Sequence, residues 1–164
     1  MTTKLKLTPN VSYALGIYSM SRDGRPAIGL RTRDGRVMQK FIEVVIKDLG
    51  IEPGKVVLGE NMAFFYNSKL KKLFDRALDR RTKTFKYMND YSGSYVAGLF
   101  DCSGGIDRKG MFIRNLDAHD SLLLENIGIH TMVQGSKSYI IDEKRFVELA
   151  GKHSCTLDRL VARG

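Results

Sequence analysis

The sequence has no tryptophan, three prolines and only two cysteines in its 164 residues. Two cysteines, Cys102 and Cys155, cannot form a disulfide framework. Without a further cysteine or a closely spaced histidine they do not supply a zinc site either. His119, His130 and His153 lack metal-ligand spacing, so no resident metal is expected from them. No apolar run approaches the roughly 18 residues that a membrane-crossing helix requires, so a membrane partner is not expected. The opening MTTKLKLTPN has no apolar stretch of the secretory kind, and the expected location is cytoplasmic. No serine or cysteine nucleophile stands out, and Cys102 reads as a small packing residue.

Positive charge is in surplus. There are 27 Lys and Arg against 18 Asp and Glu, a formal net charge of +9 that favours a polyanionic partner. Residues 1–92 carry 18 basic and 9 acidic residues, whereas residues 93–164 carry 9 of each. The whole surplus therefore lies in the first half, where most of the electrostatic contact is expected. With 43% hydrophobic residues the chain can bury a core, and its length suits one domain or two small repeated halves.

Punctuation and hydrophobic period predict the order of elements. Asn10 is placed to cap a short apolar helix, VSYALGIYSMS, which Gly24 and Pro26 follow. A strand over Ala27–Arg33, a turn at Asp34-Gly35 and an amphipathic helix closed by Gly50 come next. Two short strands flank Gly59-Glu60-Asn61, and Ser68 opens another amphipathic helix. The order then recurs. A helix over Ser94–Ser103 ends at Gly104-Gly105, and Lys109–Asn115 can form a strand. SLLLENIG can form a helix, IHTMVQ and KSYII a hairpin around Gly135-Ser136, and DEKRFVELAGK a last helix. Both halves read α-β-α-β-β-α, which predicts an α/β (α+β) fold of two repeats, residues 1–90 and 91–164.

Aligning the halves brings out a motif. Tyr95-Val96-Ala97-Gly98-Leu99-Phe100-Asp101-Cys102-Ser103-Gly104 resembles the signature helix of the LAGLIDADG homing endonucleases. Tyr13-Ala14-Leu15-Gly16-Ile17-Tyr18-Ser19-Met20-Ser21 is a weaker copy, with Gly16 equivalent to Gly98. Leu49-Gly50-Ile51 and Ile127-Gly128-Ile129 also correspond, so the resemblance spans nearly the whole chain. It implies a monomeric pseudo-dimer in which the two signature helices pack across a pseudo-two-fold axis, with Ala14, Gly16, Ala97 and Gly98 at the repeat interface. It also implies that the helix ends face a bound duplex and that an acidic residue at each end holds divalent metals.

The sequence departs from that pattern at the residues that matter for chemistry. The family's metal-binding carboxylate is the eighth motif residue, occupied here by Ser21 and Ser103. A hydroxyl is a poor ligand for Mg²⁺, which prefers carboxylates and water. Asp101 sits two residues earlier, turned by about 200° around the helix, and Asp23 and Asp107 lie outside the motif. Those three acids are the fallback catalytic candidates. The spans that would form the saddle-shaped sheet, residues 22–36 and 104–120, accommodate one strand with turns or a stunted hairpin.

Candidates for nucleic-acid contact are Arg25, Arg31, Arg33 and Arg36, with Arg108, Lys109 and Arg114 as weaker counterparts in the second half. Arg31 and Arg33 are expected to share a strand face. A second basic run, from Lys69 through Arg76, Arg80 and Arg81 to Lys86, reads as a solvated face or linker. Phe64, Phe65 and Tyr66 could stack bases, although their alternation more simply buries Phe65. The expected function is DNA or RNA binding of the maturase-like or regulatory kind, without cleavage and without a cofactor. An active endonuclease using Mg²⁺ through atypical ligands, and an RNA-docking subunit of a ribonucleoprotein with protein partners, are the alternatives.

Overall fold

The computed structural model describes residues 5–157; residues 158–164, the end of the second repeat, lie outside the described residues, as do residues 1–4. Helix α1 runs over Pro9–Ser21 and α5 over Asp90–Ser103. Both are apolar on every side because they form the centre of the molecule. Residues Val11 to Ser19 and Ser92 to Asp101 are buried without interruption. The cap of α1 is Thr8, whose hydroxyl accepts from the Val11 amide at 3.1 Å; Pro9 fills the first helical position, where no N–H is needed. The expected cap, Asn10, is instead inside the helix. Asn89 caps α5 in a reciprocal arrangement with Ser92.

The first repeat continues through β1 (Ala27–Arg31), α2 (Gly35–Glu43), β2 (Val57–Gly59), β3 (Met62–Tyr66), α3 (Ser68–Asp79) and the single turn α4 (Arg81–Thr84). Asp34 caps α2 through the amides of Arg36 and Val37, and the helix widens into a π-type turn over Val44–Asp48. Asn67, one residue before the expected Ser68, caps α3. The three strands form an antiparallel sheet in the order β1-β3-β2. Ile28, Leu30, Ala63 and Phe65 point from it into the core beneath Val37, Phe41, Phe74 and Leu78.

The second repeat contains β4 (Gly104–Asp107), β5 (Gly110–Arg114), α6 (Ala118–Asn126), β6 (Thr131–Gln134), β7 (Lys137–Ile140) and α7 (Glu143–Ala150). Its antiparallel sheet is ordered β4-β5-β7-β6, and of the two readings of residues 104–120 it is the stunted hairpin, β4 with β5, that forms. Gly104 and Gly105 do not merely break α5; the chain passes through them directly into β4. A side chain on Gly105 would press on the tip of the Phe112 ring at 2.8 Å, and one on Gly104 on the Phe100 ring and, at 2.6 Å, on its carbonyl, so a larger residue at either position would force a neighbour to move. In the first repeat the corresponding stretch carries Gly24 with φ +87° and then Pro26, and it bends instead of pairing.

The two repeats meet along α1 and α5. Gly16 and Gly98 face one another so closely that a β-carbon on either would overlap the other helix's backbone. On Gly98 it would lie 3.1 Å from the Ile17 amide and 3.2 Å from the Gly16 Cα, and it would collide with the Tyr13 carbonyl. On Gly16 it would lie 3.1 Å from the Gly98 Cα and collide with the Tyr95 carbonyl. That reciprocity is the pseudo-two-fold axis. Ala14 and Ala97 are fully buried beside it, and Leu15, Ile17, Leu99 and Phe100 extend into one continuous core. No helix among the described residues is long and apolar enough to cross a membrane.

Candidate nucleic-acid interface

The ends of α1 and α5 open into a cleft of about 390 Å³ on the outer face of the first sheet. It brings together Ser21, Asp23, Arg25, Arg31 and Ser103, together with Phe64 and Tyr66 from β3. Ser21 donates its hydroxyl to the Gly29 carbonyl at 2.8 Å, which pins the end of α1 to β1. Asp23 receives the Arg25 guanidinium at 2.7 Å, and this pairing holds its carboxyl below the usual carboxylate range. Burial raises the thiol of the neighbouring Cys102 to about 11, so it stays protonated at neutral pH.

Asp101 is elsewhere. It is buried at the repeat junction, where its carboxylate accepts from the Tyr13 hydroxyl at 2.7 Å, Thr156 at 2.7 Å, Ser154 at 2.5 Å and the Cys155 amide at 2.8 Å. It fastens the segment after α7 against α1 and has no free lone pair directed at the cleft. Asp107 sits on the second sheet and accepts from Lys137 at 2.9 Å and from the Tyr139 hydroxyl at 2.7 Å. These bonds depress its pKa strongly. None of the three fallback acids is placed with a second acid, and among the described residues no group of three or more His, Cys, Asp or Glu could hold a metal. The donors at the helix ends, one engaged hydroxyl, a second hydroxyl and an aspartate already neutralised by arginine, do not fit a pair of hard dications.

The basic candidates divide. Arg31 is exposed on β1, on the same face as Gly29, Met62, Phe64 and Tyr66. Arg33 does not share that face, because β1 ends at Arg31; the chain turns where the Thr32 hydroxyl accepts the Asp34 amide at 3.1 Å. Arg36 leaves the saddle altogether: it lies on α2 with its guanidinium bonded to the Cys155 carbonyl. In the second half, Arg108 and Lys109 form the β4–β5 turn, with Lys109 bonded to Gln134. Arg114 lies over the Phe112 ring, 5.0 Å from its centroid.

Sequence reasoning missed two basic residues. Lys137 shares the outer face of the second sheet with Arg114, paired across β5 and β7, and stands 4.3 Å from the Phe112 centroid. The alternation in Lys137-Ser138-Tyr139 was the available signal. Arg81, read as part of a solvated run, is only 2% exposed. It donates to Asp117 at 2.7 Å and to Ser19 at 3.3 Å, and its Nε is 3.5 Å from Asp120 without hydrogen-bond geometry. Asp120, fully buried, also accepts from Ser19 at 2.7 Å and from Tyr95 at 2.6 Å. Ser19 occupies the motif position that Asp101 holds in the other copy, so α6 supplies the carboxylate that α1 lacks. Burial pushes the Asp120 pKa up, against the pull of its donors. It also pushes the Tyr95 hydroxyl far up.

The two sheet faces therefore differ. The second presents Arg114 and Lys137 over a covered aromatic, with Arg108 and Lys109 at its rim. The first presents Arg25 and Arg31 around apolar and aromatic side chains. Much of the first half's charge surplus lies on α2, α3 and α4, away from the first sheet's outer face.

No family model and no curated protein sequence matches the chain. Solved structures do. I-DmoI in complex with DNA and manganese superposes with a TM-score of 0.62 at 16% identity, covering 86% of this chain and 95% of that one. A variant of I-DmoI with its target DNA in the presence of manganese gives 0.64 at 15% identity over 87% and 93%. Another variant, with target DNA nicked in the coding strand, gives 0.61 at 17% identity over 89% and 97%. By these superpositions the chain has the fold of a LAGLIDADG homing endonuclease.

Proposed function

We propose that this protein binds nucleic acid across its two sheet faces and does not cleave it. The donor set at the ends of α1 and α5 carries the second part of that reading. Ser21 spends its hydroxyl on Gly29, and the one acid in the cleft, Asp23, is matched by Arg25. Binding is supported by the net charge of +9, by Arg31, Arg114 and Lys137 on the outer faces, and by a fold shared with a protein solved on DNA. Phosphate contacts need only positioned cations, so they outlast the loss of metal ligands.

The test combines a mobility-shift titration over a range of salt with incubation of supercoiled plasmid in Mg²⁺ or Mn²⁺. Binding should weaken steeply as salt rises, and the plasmid should remain intact. Nicking that survives Ser21→Ala with Ser103→Ala but is lost in Asp23→Asn would overturn the non-cleaving reading in favour of an endonuclease with atypical ligands.

A further inference from the structure

The second sheet has four strands and the first has three. By order, β5, β7 and β6 correspond to β1, β3 and β2, and β4 has no counterpart. The outer edge of β1 is therefore open. The Thr32 amide donates to the Asn61 carbonyl at 2.9 Å, which turns the peptide groups of Ile28, Leu30 and Thr32 toward β3. By alternation those of Ala27, Gly29 and Arg31 face the open edge. The Gly29 carbonyl meets Ser21 there.

Above this edge lies the cleft of about 390 Å³, within the size range of small-ligand sites. Its aromatic wall is available. Tyr66 is 63% exposed and meets Phe64 edge to face at 5.6 Å. Val57, paired with Phe64, extends the exposed apolar surface onto β2. The equivalent wall of the second sheet is closed: Phe112 is 5% exposed beneath Arg114 and Lys137, and the Tyr139 hydroxyl is tied to Asp107. Cations flank the open wall. Arg31 has no ion-pair or hydrogen-bond partner among the described residues, and Arg25 stands beside Tyr66.

We propose that this cleft binds an unpaired nucleobase, stacked on Tyr66 with a phosphate further along the same strand on Arg31, so that the substrate is a single-stranded nucleic acid. The inference rests on the nucleic-acid-binding reading and names its substrate. A surface reading uninterrupted duplex is polar and strongly basic. An exposed tyrosine at one end of the strand pair, with a free arginine on the same face four residues along it, instead suits a base whose face is accessible, and an open strand edge offers peptide groups to the base's hydrogen-bonding edge. The chemistry is shared by RNA and DNA.

The experiment compares a fluorescently labelled single strand with the duplex of the same sequence, in RNA and DNA arms, at fixed salt. The full chain is used as wild type, Tyr66→Leu, Tyr66→Phe and Arg114→Ala. Wild type should bind the single strand at least as tightly as the duplex. Tyr66→Leu should weaken single-strand binding about tenfold, the loss expected for one stacked base, and change duplex binding less than twofold. Tyr66→Phe should keep the wild-type preference, and Arg114→Ala should weaken both forms together. A Tyr66-dependent preference in either arm supports the proposal, and the arm in which it appears identifies the sugar. Tighter duplex binding with no effect of Tyr66→Leu would overturn it while leaving nucleic-acid binding intact. Binding of neither form would overturn both.

Discussion

Gly98→Ala adds one methyl group where α1 and α5 come closest. The new carbon would sit 3.1 Å from the Ile17 amide and 3.2 Å from the Gly16 Cα and overlap the Tyr13 carbonyl. All three neighbours are backbone, so no rotamer change relieves the contact, and the helices must move apart. Overpacking of this kind costs about 1–3 kcal/mol, and a rigid backbone neighbour puts it at the upper end. Alanine's better helix propensity returns about 1 kcal/mol, leaving a net loss of about 2 kcal/mol. For a chain of this size that lowers Tm by about 4–8 °C. Gly35→Ala provides the control, because Gly35 opens α2 with nothing within 4 Å of its added carbon. It should be neutral or raise stability by up to about 1 kcal/mol. Urea denaturation followed by circular dichroism measures both. Gly16→Ala should match Gly98→Ala. The double variant should lose less than the sum, since helices separated by the first methyl already accommodate the second. A Gly98→Ala protein as stable as wild type would refute the close-packed junction.

Removing Arg81 as Arg81→Met should cost about 3–5 kcal/mol by leaving Asp120 buried without its cation. Adding Asp120→Asn should recover part of the loss in urea melts, and no recovery would count against the ion pair. Asp107 has a pKa lowered first by Lys137 and then by Tyr139, so its contribution is present above the unfolded carboxylate pKa, about 3.9, and fades as pH falls through the depressed folded value. The stability gap between wild type and Asp107→Asn should accordingly be constant above about pH 5 and shrink on acidification; a gap that widens would reverse the assigned sign. Arg114→Ala with Lys137→Ala should reduce the slope of log affinity against log salt by about two, and an unchanged slope would remove those residues from the phosphate contacts.

The junction was readable because small residues repeated at one spacing have few other uses in helices this apolar. Gly16 and Gly98 identify themselves in pairs. Strand β4 was readable only as one of two options, because Gly104-Gly105 carries the same local signal whether it stops a helix or lies beneath two phenylalanine rings, and only the fold brings Phe112 back to it. Caps shifted for a local reason: Thr8 before Pro9 outcompetes Asn10, since proline fixes the first helical position. Arg31 and Arg33 looked equivalent until the cap of α2 took the chain out of the sheet. Arg81 was hidden by its neighbours: eight basic residues lie between Lys69 and Lys86, and only the extra turn α4 directs one of them inward. Asp107 lies 30 residues from Lys137 and 32 from Tyr139 and meets them through strand pairing that no local pattern encodes.

The exchange of carboxylates at the junction makes the two halves non-interchangeable. Each of the two tyrosines at the junction has one acid: Tyr13 has Asp101 from the opposite signature helix, and Tyr95 has Asp120 from its own repeat. Two copies of the first half would set each Tyr13 hydroxyl against Ser19, leaving neither tyrosine with an anion. Two copies of the second would bring Asp101 of one against Asp120 of the other, two anions in one dry space with no Arg81 between them. The charges at the junction therefore disfavour self-pairing in both directions, by a missing anion in one case and a repeated one in the other, and favour each half meeting its complement.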